Sequence, residues 1–132
     1  MKLLKWKDAY SMGEVEIDKQ HKGLFKLSND IYNLVEAGVD DSKQFRELFM
    51  ILTDYTIDHF IYEEMYIQEE GFPGLEEHIE QHLEFSNKLR DICIGIDKET
   101  HIADIGEFVT TWLVDHVIHE DMKYKKFVAN KK

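Results

Sequence analysis

In the stretch His59-Phe60-Ile61-Tyr62-Glu63 a histidine and a carboxylate stand four residues apart. That is just over one helical turn, so both side chains leave the same face of a helix and are able to share a metal ion. The pair does not stand alone. His78-x-x-x-His82 and His116-x-x-x-x-Asp121 follow it, and His21 precedes it. Each of these residues falls on the apolar stripe of a helical pattern. The chain must therefore fold so that four segments turn five histidines and two carboxylates toward one interior. Burying such groups is costly unless something binds them, and metal is the economical occupant.

Four helices carry the set. Residues 1–17 read as an extended arm, with Trp6, Tyr10 and Met12 separated by polar residues and interrupted by Gly13. Asp18 is the expected N-cap of the first helix, in which His21, Leu24, Ser28, Ile31 and Val35 recur at steps of three and four. Gly38 stops it, and Val39-Asp40-Asp41-Ser42 is a turn that supplies the next cap. The second stripe runs Phe45, Leu48, Phe49, Leu52, Thr56, His59, Glu63, Ile67, until Gly71-Phe72-Pro73-Gly74 ends it. The third runs Leu75, His78, Ile79, His82, Phe85, Leu89, Ile92 and fades near Gly95 into the polar connection Asp97–Thr100. The fourth runs Ile105, Val109, Trp112, Leu113, His116, Val117, Asp121, Tyr124, Val128. Asp121 is five residues beyond His116 and Glu120 is four beyond it. Spacing alone leaves either carboxylate open as the ligand. No strand signal competes. Short connections favour antiparallel neighbours, which predicts an all-α, up-down-up-down four-helix bundle over residues 18–128, behind the arm, in a single domain of 132 residues.

Composition narrows the rest. A formal charge of −11 argues against nucleic acid or anionic lipid as a partner. No apolar run reaches membrane-spanning length, and the basic start leads into Asp8 with no secretory signal. The single cysteine, Cys93, fits a reducing compartment. The expected location is cytoplasmic.

Seven protein ligands are too many for one ion, since zinc takes about four, so two ions are implied. Mixed histidine and carboxylate sets suit non-haem iron. The chain resembles the hemerythrins, specifically the free-standing bacterial ones. The resemblance rests on Trp6, Ile17-Asp18-Lys19-Gln20-His21, His59-Phe60-x-x-Glu63-Glu64, His78-x-x-x-His82 and Trp112-Leu113-x-x-His116-x-x-x-x-Asp121. It covers nearly the whole chain, and no ligand position departs from the family pattern.

The resemblance implies two irons, with His78, His82 and His116 on one, His21 and His59 on the other, and Glu63 and Asp121 bridging. It also selects Asp121 over Glu120. Nine protein donor atoms and a bridging oxo or hydroxo group at each iron leave one of twelve octahedral positions vacant, on the iron with two histidines. In the family, dioxygen binds there. Phe60, Trp112, Leu113 and Val117, which lie beside ligands, are the expected walls of that pocket.

The expected function is therefore reversible dioxygen binding for carriage, storage or delivery, without enzyme activity. Dioxygen is the ligand, a separate oxygen-accepting protein the partner, and a monomer the expected state. A di-iron oxidase, peroxidase or nitric-oxide-reducing enzyme is the alternative, although the site carries no spare carboxylate motif for such chemistry. A sensor acting through a separate protein is a third class. His101 and His119 are expected non-ligands, Cys93 a small buried hydrophobe, and Glu64, Glu69 and Glu70 solvated surface.

Overall fold

The computed structural model describes residues 3–38, 42–95 and 102–131. Four helical rods form the molecule: α1 (Val15–Glu36), α2 (Ser42–Glu69), α3 (Leu75–Gly95), and a fourth built from α4 (Ile102–Asp115), a π-helical turn (His116–Glu120) and α5 (Asp121–Asn130). No strand occurs among the described residues. Residues 39–41, the connection Asp97–Thr100 and His101 lie outside the described residues, as does the side chain of Cys93.

Cross-helix contacts give the directions. His21 of α1 meets His59 of α2, while Glu14, just ahead of α1, meets Tyr62 further along α2. These two rods are antiparallel. Glu63 of α2 meets His78 of α3, and the earlier Phe60 meets the later Phe85, so α2 and α3 are antiparallel too. Lys131 beyond α5 reaches Glu70 at the end of α2, which makes the fourth rod parallel to α2. The result is the expected up-down-up-down four-helix bundle.

The first helix begins earlier than its sequence suggests. Asp18 is not its N-cap. Gly13, at φ +77°, turns the chain, and Glu14 caps the helix by accepting from the amides of Glu16 and Ile17, both at 3.1 Å. Residues 15–17 therefore belong to the bundle. Asp18 instead accepts from Ser11 Oγ and from the Met12 amide, at 2.5 and 2.7 Å, so its carboxylate ties the arm to the first turn. Nor is the arm wholly extended, since Asp8–Tyr10 forms a 3-10 turn. Trp6 and Tyr10 meet Phe25 edge-on, at 5.6 and 5.9 Å between centroids. The Asn29 side chain pairs with both the amide and the carbonyl of Leu4.

The C-terminal end of α2 behaves as its sequence predicts. Gly71 takes φ +74°. Its amide donates to Gln68 O, and that of Phe72 to Ile67 O, at 3.0 and 3.1 Å. This is the Schellman arrangement, which only a residue tolerant of positive φ closes cheaply.

The stripes are buried much as predicted. Two apolar clusters form. Leu24, Ile31, Phe45, Phe49, Leu52, Phe60, Phe85, Leu89, Val109 and Leu113 fill one half of the bundle. Met12, Ile17, Ile67 and Tyr124 fill the other. The histidines and acids lie between them, buried. No helix among the described residues is long and apolar enough to cross a membrane.

Candidate metal centre

All seven predicted ligands are buried, and Glu63, Asp121 and His21 expose none of their surface. They arrive from all four rods. His21 comes from the second turn of α1, His59 and Glu63 from successive turns of α2, and His78 and His82 from successive turns of α3. His116 and Asp121 open and follow the π turn.

The π turn explains the fivefold spacing. In an α-helix Glu120, four residues on, would stack over His116. A π turn closes its hydrogen bonds from i to i+5 and inserts one extra residue. Here the Asp121 amide donates to His116 O, which brings the Asp121 side chain over the His116 face. Asp121 Oδ1 lies 3.0 Å from His116 Nε2. Glu120 is turned outward, where it accepts from Lys123 and from Gln81 Nε2 at 2.9 and 3.1 Å. Lys123 holds its carboxyl below the usual glutamate range.

Each of the five buried histidines presents Nε2 to the centre. Glu63 Oε1 lies 2.9 Å from His78 Nε2 and 3.1 Å from His82 Nε2. Glu63 Oε2 lies 3.3 Å from Nε2 of both His21 and His59. Asp121 places Oδ1 3.0 Å from His78 and Oδ2 3.2 Å from His21. The donors fall into two groups, Glu63–His78–His82–His116–Asp121 and His21–His59–Glu63–Asp121. The two carboxylates belong to both.

The outer nitrogens reveal what the inner ones are ready to bind. His59 Nδ1 donates to Gln20 Oε1 at 2.6 Å, and His82 Nδ1 donates to Glu64 Oε2 at 2.8 Å. A neutral imidazole with its proton on Nδ1 carries a bare lone pair on Nε2. That lone pair on His59 faces a carboxylate oxygen and makes no hydrogen bond. His82 Nε2 lies 3.1 Å from Glu63 Oε1 and 2.9 Å from His116 Nε2, and although burial works against charging this ring, Glu63 and Glu64 raise its pKa. Both Asp121 oxygens are likewise buried without a hydrogen bond. Lone pairs converging on one desolvated space are the donor set of a cation, and a hydrogen bond from the far ring nitrogen is the usual support of a metal-binding histidine. The residues fit a metal.

In the metal-free chain protons take part of that role. Burial works against charging His21 and His78, but the Asp121 and Glu63 carboxylates beside them outweigh it, pushing His21 to about 9 and His78 to about 10. At His59 burial wins and lowers the pKa. Burial alone would raise the carboxyls of Glu63 and Asp121, yet the surrounding imidazoles hold both well below the ordinary range.

Aromatic rings brace the three-histidine side. Phe60 stacks on His82 with centroids 3.7 Å apart and planes within 5°. Trp112 stacks on His116 at 4.5 Å and 11°, and its other neighbour, Phe85, stacks on it at 3.8 Å. Trp112 also lines a cleft of about 180 Å³ shared with Gln81, Glu84, Asp115, His116 and Glu120. Leu113 and Val117 are buried, and Leu113 packs in the same cluster as Phe60 and Leu24.

Three contributors were not recognised in the sequence. Glu64, expected as solvated surface, holds His82. Gln20 holds His59. Tyr124, which reads as one more core residue, donates its hydroxyl to Glu63 Oε2 at 3.0 Å. Glu70 pairs with Lys131 at the surface. His119 is 68 % exposed, outside both donor groups, and sits 3.7 Å from Asp115.

Comparison with known proteins agrees with this geometry. The family described as "Hemerythrin HHE cation binding domain" matches residues 12–128. A bacteriohemerythrin of Clostridium acetobutylicum is 31% identical over 124 residues, covering 90% of this chain and 96% of that protein. A myohemerythrin of Riftia pachyptila is 32% identical over 120 residues, covering 91% of this chain and 89% of that protein. A hemerythrin-like protein of Naegleria gruberi has the same identity and the same coverage. With the family model spanning most of its length and a relative above 30% identity along nearly the whole chain, this protein belongs to the hemerythrin family.

Proposed function

We propose that the chain binds dioxygen reversibly at a pair of non-haem irons. His78, His82 and His116 would hold one iron, His21 and His59 would hold the other, and Glu63 and Asp121 would be shared between them. The observation that carries this reading is the division of the donors into a three-histidine and a two-histidine group sharing both carboxylates. Shared carboxylates would bring two ions close together, and the unequal histidine count would leave one ion with fewer protein ligands than the other. When bound, the iron pair supplies an open coordination position and two electrons for a dioxygen molecule.

The chain's own residues set the conditions. Five imidazoles and two carboxylates fix the donors with almost no access to water. Tyr124 anchors Glu63 through one oxygen, so the bridging carboxylate is held from outside as well. Leu113, Val117 and Phe60 are apolar walls that keep bulk water and protons from the open position, while Trp112 braces His116. Such dryness favours release of dioxygen over its consumption. The names of the relatives, among them a bacteriohemerythrin and a myohemerythrin, support the same reading.

The test is optical. Protein loaded with iron and reduced without air is exposed to oxygen and then stripped of it, while the visible absorption is followed. Full return to the reduced spectrum through repeated cycles is expected. Oxygen consumed with irreversible oxidation would overturn the reading in favour of an enzyme.

A further inference from the structure

The imidazoles of the two donor groups are backed differently on their outer nitrogens. On the three-histidine side, His82 Nδ1 donates to a carboxylate, Glu64 Oε2, at 2.8 Å. On the two-histidine side, His59 Nδ1 donates to a neutral amide, Gln20 Oε1, at 2.6 Å. The remaining histidine of that side, His21, has its Nδ1 buried with no hydrogen-bond partner among the described residues. Among the described residues the anionic support thus falls on one group and is missing from the other.

This difference reaches the metal through the ring. A carboxylate that accepts the Nδ1 proton draws it outward and leaves more electron density on Nε2, which makes the imidazole a stronger donor. An amide oxygen makes a neutral hydrogen bond, about half as strong as the charge-assisted one. Phe60, stacked at 3.7 Å on His82, holds the ring in the plane that keeps both of its nitrogens aimed. Glu64 is 28 % exposed, so solvent screens part of its charge but most of the side chain is enclosed.

We infer that Glu64 is a positioning residue that makes the two iron positions unequal in redox terms. The position of His78, His82 and His116 holds the ferric state more strongly. The position of His21 and His59, backed by Gln20, keeps the ferrous state. When a one-electron oxidant such as ferricyanide removes a single electron from the reduced pair, the electron leaves the three-histidine iron. This inference rests on the di-iron reading proposed above.

The test is a redox titration without air, using mediator dyes, on iron-loaded parent, Glu64→Gln and Gln20→Glu, with iron content measured first. Glutamine at position 64 still accepts from His82 Nδ1, so the hydrogen bond stays and the charge goes. The midpoint potential of the pair is expected to rise in Glu64→Gln and to fall in Gln20→Glu, because the second change adds the charge that the first removes. A merely structural role for Glu64 would not give shifts of opposite sign. Potentials within error of the parent, or shifted in one direction in both variants, overturn the inference in proteins that hold two irons. Loss of such an outer partner weakens metal binding about 10- to 100-fold. Should Glu64→Gln fail to hold two irons, Gln20→Glu decides alone, and an unchanged or raised potential overturns the proposal. A parent that never holds two irons defeats the di-iron reading and the inference together. A loaded parent whose potential the variants do not move defeats the inference alone.

Discussion

Asp121 meets His116 twice: its amide donates to the carbonyl of His116, and its Oδ1 lies 3.0 Å from His116 Nε2. The backbone bond that widens the turn is what places the carboxylate. Asp121→Ala should therefore abolish the spectrum of a coupled iron pair, while Glu120→Ala should retain it, because Glu120 spends its charge on Lys123 and Gln81. Visible absorption and iron content of the two variants decide. The reverse outcome would mean that the outward carboxylate is the ligand.

Iron analysis of protein from its native source should give two ions per chain. A single ion, or zinc in place of iron, would contradict the assignment of the seven donors to a pair.

Loading should be coupled to protons. In the metal-free chain His21 and His78 are raised from 6.5 to about 9 and about 10. A raised folded pKa contributes stability that is complete below about 6.5 and is lost as pH climbs through the raised value. The metal-free melting temperature should accordingly fall between pH 7 and pH 10. Metal displaces those protons, so iron uptake near pH 7.5 should release at least the two carried by His21 and His78, and the loaded protein should melt higher and lose less over the same range. Calorimetry of both forms across pH, together with a pH-stat record of loading, checks this. Identical melting curves would place the metal outside the core.

Leu113→Ala tests the dry wall. A buried leucine truncated to alanine costs about 2–5 kcal/mol of stability, which a purely packing role also predicts. The functional expectation is separate. The oxygen-loaded variant should decay to the oxidised form faster than the parent, since water and protons gain access. An unchanged decay rate in a variant that holds two irons would leave Leu113 with packing alone.

The stripes of the four rods were legible because burial acts on each helix by itself, at steps of three and four. The burial of the seven candidate donors was legible for the same reason, each lying on such a stripe. What escaped depends on partners from elsewhere in the chain. Glu14 caps α1 only because Gly13 turns the arm, and that freed Asp18 to hold Ser11 and Met12. The π turn leaves no mark in an apolar pattern beyond a spacing of five, which an α-helical reading treats as ambiguous. Glu64 and Gln20 are polar residues on helices, and a sequence does not distinguish one that meets a histidine of another rod from one that meets water. Tyr124 showed its ring in the pattern and hid its hydroxyl.

The contact between His21 and Asp121, 3.2 Å apart in space and one hundred residues apart in sequence, has a topological meaning. A metal held by both would fasten nearly the whole chain into a closed loop. A covalent link around a loop of that length removes chain entropy worth about 4.7 kcal/mol from the unfolded ensemble. This chain has one cysteine and so cannot form such a link within itself. The proposed ligands would perform the fastening instead, and because they meet only after both ends of the sequence have come together, the site is complete only when the last rod has docked.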